Sequence, residues 1–138
     1  MHIVLVRHAE IPIPGSDVLS ADGRKRAALL ARMFEKSGIS AVFTSEFNRT
    51  KQTAAPLCET LGIVSEPIDP DFNLARDQIL TAGAFAIVVG HSDTLPRLIA
   101  ALGGPTSIEI GLNEFDRMFI VTVASGAVSI LSFRYLSE

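Results

Sequence analysis

Two short runs of branched aliphatic residues constrain this chain more than any other feature. They are Ile3-Val4-Leu5-Val6 and Ala86-Ile87-Val88-Val89. A strand with one face in water alternates apolar and polar positions. A strand apolar at every position is covered on both faces, which is the situation of central strands in a parallel sheet. His2–Val6 and Phe85–Val89 are therefore expected to lie at the centre of a sheet with helices on either side.

The segments between them agree. Ser20 is placed to cap a helix in which Ala27, Leu30, Ala31 and Phe34 recur at helical spacing, with Gly38 as its stop. Ala41–Thr44 reads as a short second strand. Asn48 to about Leu61 reads as a helix with Ala54, Leu57, Cys58 and Leu61 on one face and Gly62 at its end. Ile63–Ile68 is a peripheral extended segment, because Pro67 and Pro70 interrupt it. Further helices are expected over Phe72–Thr81 and Asp93–Leu102. Arg117–Val123 and Val128–Tyr135 form an antiparallel pair turning at Ser125–Gly126.

The fold expected is thus α/β, a single-domain three-layer sandwich over residues 1–138. A mostly parallel central sheet carries helices on both faces and ends in a C-terminal antiparallel hairpin. With 138 residues and 48% hydrophobic content the chain can bury a core, and it lies outside the range of intrinsic disorder. A net charge of −3 argues against nucleic-acid binding through a broad basic surface. No apolar run reaches the ~18 residues of a membrane span, and the first ten residues do not read as a secretory signal. One cysteine, Cys58, excludes an intrachain disulfide framework and fits a cytoplasmic protein; its place on an apolar helix face reads as packing.

In open α/β sheets ligands bind beyond the carboxyl ends of the strands. After the first strand come Arg7, His8, Ala9 and Glu10. After the second come Thr44, Ser45 and Glu46, with Arg49 in the following helical turn. After the central strand come Gly90, His91, Ser92 and Asp93. Two arginines and two of the three histidines therefore meet at one sheet edge. Guanidinium forks suit phosphate oxygens, and the helices starting near Asn48 and Asp93 are expected to aim backbone N–H groups at the same place. A neutral histidine facing such an anion can act as a nucleophile toward phosphorus.

These residues also carry a resemblance. LVRHAE (Leu5–Glu10) resembles the Arg-His-Gly/Ala-Glu signature of the histidine phosphatase, or phosphoglycerate-mutase-like, superfamily. LSADGRKRA (Leu19–Ala27), FTSEFNRTKQTAAPL (Phe43–Leu57) and VVGHSDTLPRLIAALGG (Val88–Gly104) resemble further segments of that family, in the family's order. The resemblance implies that His8 is the phosphorylated nucleophile, that Arg7 and Arg49 clamp phosphoryl oxygens, and that His91 completes the pocket. It implies no metal and no organic cofactor.

The family's usual acid-bearing insertion after the second helix is nearly absent here. Asp93 stands two residues past His91 and is the first candidate for a general acid, with a helix cap as its other reading. Glu10, Glu46 and Asp116 are weaker candidates. A short chain without lid or clear acid resembles the small phosphohistidine-phosphatase branch and suits a phosphorylated small molecule or protein. A catalytically weak phosphate-binding or phosphoprotein-binding module using the same pocket is the alternative. A metal hydrolase built on His8, His91 and Asp93 is disfavoured by the two adjacent arginines. His2 is expected at the edge of its strand. Arg24, Lys25 and Arg26 are expected on a solvated helix face, and Leu112–Phe119 near the pocket rim. The oligomeric state has no signature in the sequence.

Overall fold

The structure is a computed structural model that describes residues 1–135. The last three residues of the expected single domain, 136–138, lie outside the described residues. Its elements are β1 (His2–Arg7), α1 (Ala21–Phe34), β2 (Ala41–Thr44), α2 (Asn48–Leu61), β3 (Glu66–Pro67), α3 (Phe72–Leu80), β4 (Phe85–Gly90), α4 (Thr94–Ala101), β5 (Arg117–Ala124) and β6 (Ala127–Arg134). They form one six-stranded sheet in the order β3-β2-β4-β1-β5-β6. β3, β2, β4 and β1 run parallel, and β5 is antiparallel to both β1 and β6.

The aliphatic runs become the two central strands, and their alternate side chains feed two cores. Ile3, Leu5 and Val88 face α3 and α4, where they pack with Ala75, Ile79, Leu95, Leu98 and Ile99. Val4, Val6, Ile87 and Val89 face α1 and α2, where they meet Leu30, Phe34, Ala54 and Leu57. Cys58 packs, half-buried, against this second core. The hairpin turns where its sequence indicates. Ser125 (φ 52°) and Gly126 (φ 79°) both take positive φ, as a two-residue turn matched to the strand twist requires.

Two expectations change. The extended segment at Ile63–Ile68 shrinks to a two-residue strand, Glu66–Pro67, paired with Phe43 and Thr44 of β2. Arg26 is not solvated. It is 7% exposed, its Nε and Nη2 each reach a Glu10 carboxylate oxygen at 2.8 Å, and its Nη1 donates to the Tyr135 carbonyl. His2 is exposed, with its Nδ1 2.9 Å from the Thr122 hydroxyl.

Ser20 caps α1 by accepting from the Gly23 amide at 3.1 Å. A side chain at Gly23 would collide with the Glu10 carbonyl oxygen. The glycine thus lets the loop that follows β1 lie directly on α1. Gly23→Ala should destabilise the chain by roughly 1–3 kcal/mol, since the obstacle is backbone and cannot swing away. Urea unfolding of the two forms measures this; an unchanged midpoint would show that the loop does not need the close approach.

Candidate functional site

Arg7 ends β1 in register with Gly90, the last residue of β4. Its backbone is therefore held against β4, and its side chain emerges on the α3–α4 side of the sheet. There Nη1 donates to the carbonyls of Leu112 (2.8 Å), Glu114 (2.9 Å) and Gly111 (3.3 Å). The guanidinium carbon stands 4.0 Å from the centre of the Phe115 ring. The segment expected at the rim is thus the cradle of Arg7. Arg7 is 6% exposed, its Nε is buried without a hydrogen-bond partner, and among the described residues no carboxylate lies within ion-pair distance of it.

His8 follows immediately and is 4% exposed. Its amide donates to the Gly90 carbonyl at 2.8 Å, and its Nδ1 lies 2.8 Å from the Ala9 carbonyl oxygen. A carbonyl oxygen can only accept, so Nδ1 carries the hydrogen and Nε2 keeps its lone pair. Burial, with the charges of Arg7, His91 and Arg49 added, pushes the ring down to about 4, so it is neutral at physiological pH.

His91 begins the turn after β4, its ring centroid 5.5 Å from that of His8. Its Nε2 is 2.7 Å from the Ser45 hydroxyl, which is 2.8 Å from the hydroxyl of Thr50. Thr50 is fully buried and donates to the carbonyls of Phe47 (2.8 Å) and Ser45 (3.1 Å). Burial and the neighbouring Arg49 lower His91 as well. Arg49, in the first turn of α2, lies over the Phe47 ring at 4.4 Å, and that ring meets His91 edge-on at 5.3 Å. The structure therefore brings together Arg7, His8, Arg49 and His91.

Asp93 stands at the N-cap position of α4 but is exposed, and its side chain makes no capping bond. The capping reading is corrected by Thr94, whose hydroxyl accepts from the His91 amide at 3.1 Å. Two of the weaker acid candidates are engaged elsewhere, and the third borders a cavity. Glu10 pairs with Arg26, and although burial pulls it up, the bonds from Arg26 bring it below the usual carboxylate range. Asp116 pairs with Arg134 at 3.2 Å, and Glu46 lies on the wall of a cavity next to His91. Among the described residues no three His, Cys, Asp or Glu side chains converge as metal ligands.

Three contributors were not visible in the sequence pattern. Asp17 accepts from the amides of Asn48 and Arg49 at 3.2 Å and from Arg49 Nη1 at 3.1 Å. The α2 N–H groups expected to face the pocket are capped by this carboxylate instead. Its bonds to Arg49 and Asn48 hold it below the usual range. Thr53 accepts from the Ala9 amide and Gln52 from the Leu19 amide, both at 2.9 Å, tying the loop after His8 to α2. Both belong to the quoted Arg-Thr-Lys-Gln-Thr stretch. Asp17 sits in an irregular loop where no periodicity marks it.

A sequence model of the histidine phosphatase superfamily (branch 1) matches residues 3–75, more than half of the chain. The chain belongs to that superfamily. It is 32% identical over 77 residues to the probable phosphoglycerate mutase GpmB of Serratia proteamaculans (strain 568), a match spanning 49% of this chain and 36% of that one. The chain thus matches little more than a third of the length of this curated relative. Its fold is similar to that of the protein histidine phosphatase SixA complexed with tungstate (TM-score 0.74, 23% identity, 97% of each chain). It is also similar to the α-ribazole phosphatase of Shigella flexneri (TM-score 0.75, 14% identity, 98% of this chain and 96% of that one). No helix among the described residues is long and apolar enough to cross a membrane.

Since the folded value of His8 lies below the ~6.5 of an unfolded histidine, its contribution to stability is complete above that pH. It is lost as the pH falls toward about 4. Ring-proton NMR should therefore find His8 titrating near 4 in the free protein. A midpoint near 6.5 would contradict a buried, neutral ring.

Proposed function

We propose that the protein is a phosphohydrolase working through a covalent phosphohistidine on His8. The observation that carries this is the state of that ring: neutral, Nδ1–H tied to the Ala9 carbonyl, Nε2 unencumbered, with two guanidinium groups nearby. Membership of the superfamily supports the reading, and so does the tetrahedral oxyanion bound to the structurally similar SixA.

In the first step Nε2 attacks phosphorus and the bond from phosphorus to the leaving atom breaks. The electron pair ends on the leaving group, which takes its proton from solvent water. In the second step water attacks the phosphohistidine, the P–N bond breaks, and inorganic phosphate leaves with His8 restored. Arg7 and Arg49 bind the phosphoryl oxygens and bind them more strongly as charge accumulates in the transition state. His91, oriented by Ser45, supplies a further contact. The unpartnered Nε of Arg7 fits this role, because a buried donor gains most from an incoming acceptor.

The proton for the leaving group has no preorganised source. Glu10 and Asp17 are held as carboxylates by arginines, and Asp93 and Glu46 are exposed, neither with a side-chain partner among the described residues that would fix it. This favours substrates whose leaving group departs without much help, such as an aryl phosphate or a phosphohistidine. It is also the observation favouring the second reading, a phosphate-binding module with little turnover.

Turnover of 4-nitrophenyl phosphate, unaffected by chelator, should be abolished in His8→Ala with the fold intact. Acid-labile phosphate should be trapped on His8 in wild type. Arg7→Ala and Arg49→Ala should each lower kcat/KM by about 100-fold or more. Folded wild-type protein that binds phosphate without turning over either this substrate or a phosphohistidine peptide would establish the binding module instead.

A further inference from the structure

A cavity of about 350 Å³ opens beside His91, between the carboxyl ends of β2 and β4, the β3–α3 connection and the start of α4. Its walls are chiefly Ile68, Phe72, Ala75, Val88, Leu95 and Leu98. It adjoins the candidate site through Ser45, Phe47, Gly90 and His91, which line it, while Arg7, His8 and Arg49 stand outside its walls. Gly90 accepts the His8 amide, Ser45 meets His91 Nε2, and Phe47 packs against both His91 and Arg49. A ligand with its phosphate between the arginines therefore has an adjoining apolar space.

The lining selects against negative charge. No lysine or arginine contributes to it, whereas Glu46 and Asp69 do. A carboxylate or second phosphate entering here would lose water against aliphatic walls and face two acids. An uncharged ring gains by burial. The size fits one or two rings: an apolar cavity of about 150 Å³ accepts benzene, and small-molecule pockets begin near 300 Å³.

We infer that this cavity receives the leaving group of the phosphorylated ligand, and that the ligand is an aryl phosphomonoester bearing no further anionic group. The inference rests on the phosphate-site reading above. The absence of a preorganised acid agrees with it, since a phenol with a pKa of ~10 leaves more readily than an alkyl alcohol. A phosphoglycerate-type substrate, with its carboxylate, does not fit these walls.

Isothermal titration calorimetry with methylphosphonate, benzylphosphonate and phosphonoacetate tests the cavity separately from turnover, because none of the three is a phosphate ester. Benzylphosphonate should bind about tenfold tighter than methylphosphonate or better, and phosphonoacetate no tighter than methylphosphonate. Ile68→Asp places a carboxylate in a half-buried wall position and should bring the benzyl-to-methyl ratio toward one. Phe72→Ala, which removes wall area instead, should lower it too. Circular dichroism verifies that both variants fold. Equal wild-type affinities, binding of none of the three, or an undiminished ratio in folded Ile68→Asp would overturn the cavity assignment even if 4-nitrophenyl phosphate is hydrolysed. A tenfold preference in a protein without turnover would support the cavity assignment and overturn only the hydrolase reading.

Discussion

A guanidinium buried without a carboxylate is costly, and Arg7 is held in that state by its surroundings. Its partners are three backbone carbonyls and the face of Phe115. Carbonyl dipoles and a ring quadrupole stabilise the cation without cancelling its charge. The positive field stays available to an incoming anion and acts meanwhile on the adjacent His8, adding to the burial that keeps the imidazole neutral. One arrangement thus prepares both the binding of a phosphoryl group and the lone pair that would attack it. The sheet makes this possible: β1 is central, flanked by β4 and β5, and its last residue is set in register against Gly90 of β4 and buried there.

The loop after His8 shows how such a site is kept in shape. Its backbone is tied to α2 through Thr53 at Ala9 and Gln52 at Leu19. It is tied to α1 through the Glu10–Arg26 pair and the close approach at Gly23. Asp17 then bridges the loop to the start of α2 and to Arg49. The Ala9 carbonyl, which sets the tautomer of His8, belongs to the same loop. A polar side chain on α2 therefore bears on the His8 ring through the backbone it anchors, without touching it.

Much of this was legible before any coordinates. Apolar runs without alternation identify β1 and β4 as central, because burial on both faces leaves no position for a polar residue. The approach of Arg7, His8 and His91 is legible because they end or directly follow two adjacent parallel strands, and that of Arg49 because its helix starts just after a third. What stayed hidden depends on contacts between distant residues. Arg26 reads as one member of a charged run, and only the return of Glu10 and Tyr135 toward α1 shows it to be buried. Asp17 carries no periodic signal, since its role is defined by two amides on another element. Asp93 invites a capping assignment from its position, yet the hydroxyl of Thr94 serves the turn instead. A short polar residue beside a helix start is a weak guide when a second one adjoins it.

The carboxylates around the site bear on the chemistry as strongly as its cations do. Glu10 is joined to Arg26 through both oxygens, Asp17 to Arg49 and two amides, and Glu114 to the Gly111 amide and to Arg134. Each partner favours the ionised form, and an ionised carboxylate has no proton to give. On the proposed reading, a site so arranged stabilises negative charge on phosphorus but offers little to a departing alkoxide. Discrimination then shifts from proton delivery to the intrinsic stability of the leaving group and to the space that accepts it. Beside His91 that space is apolar and bordered by acids. The electrostatics of the carboxylates and the shape of the cavity are independent features of the structure, and they favour the same kind of ligand: one phosphoryl group on a neutral ring.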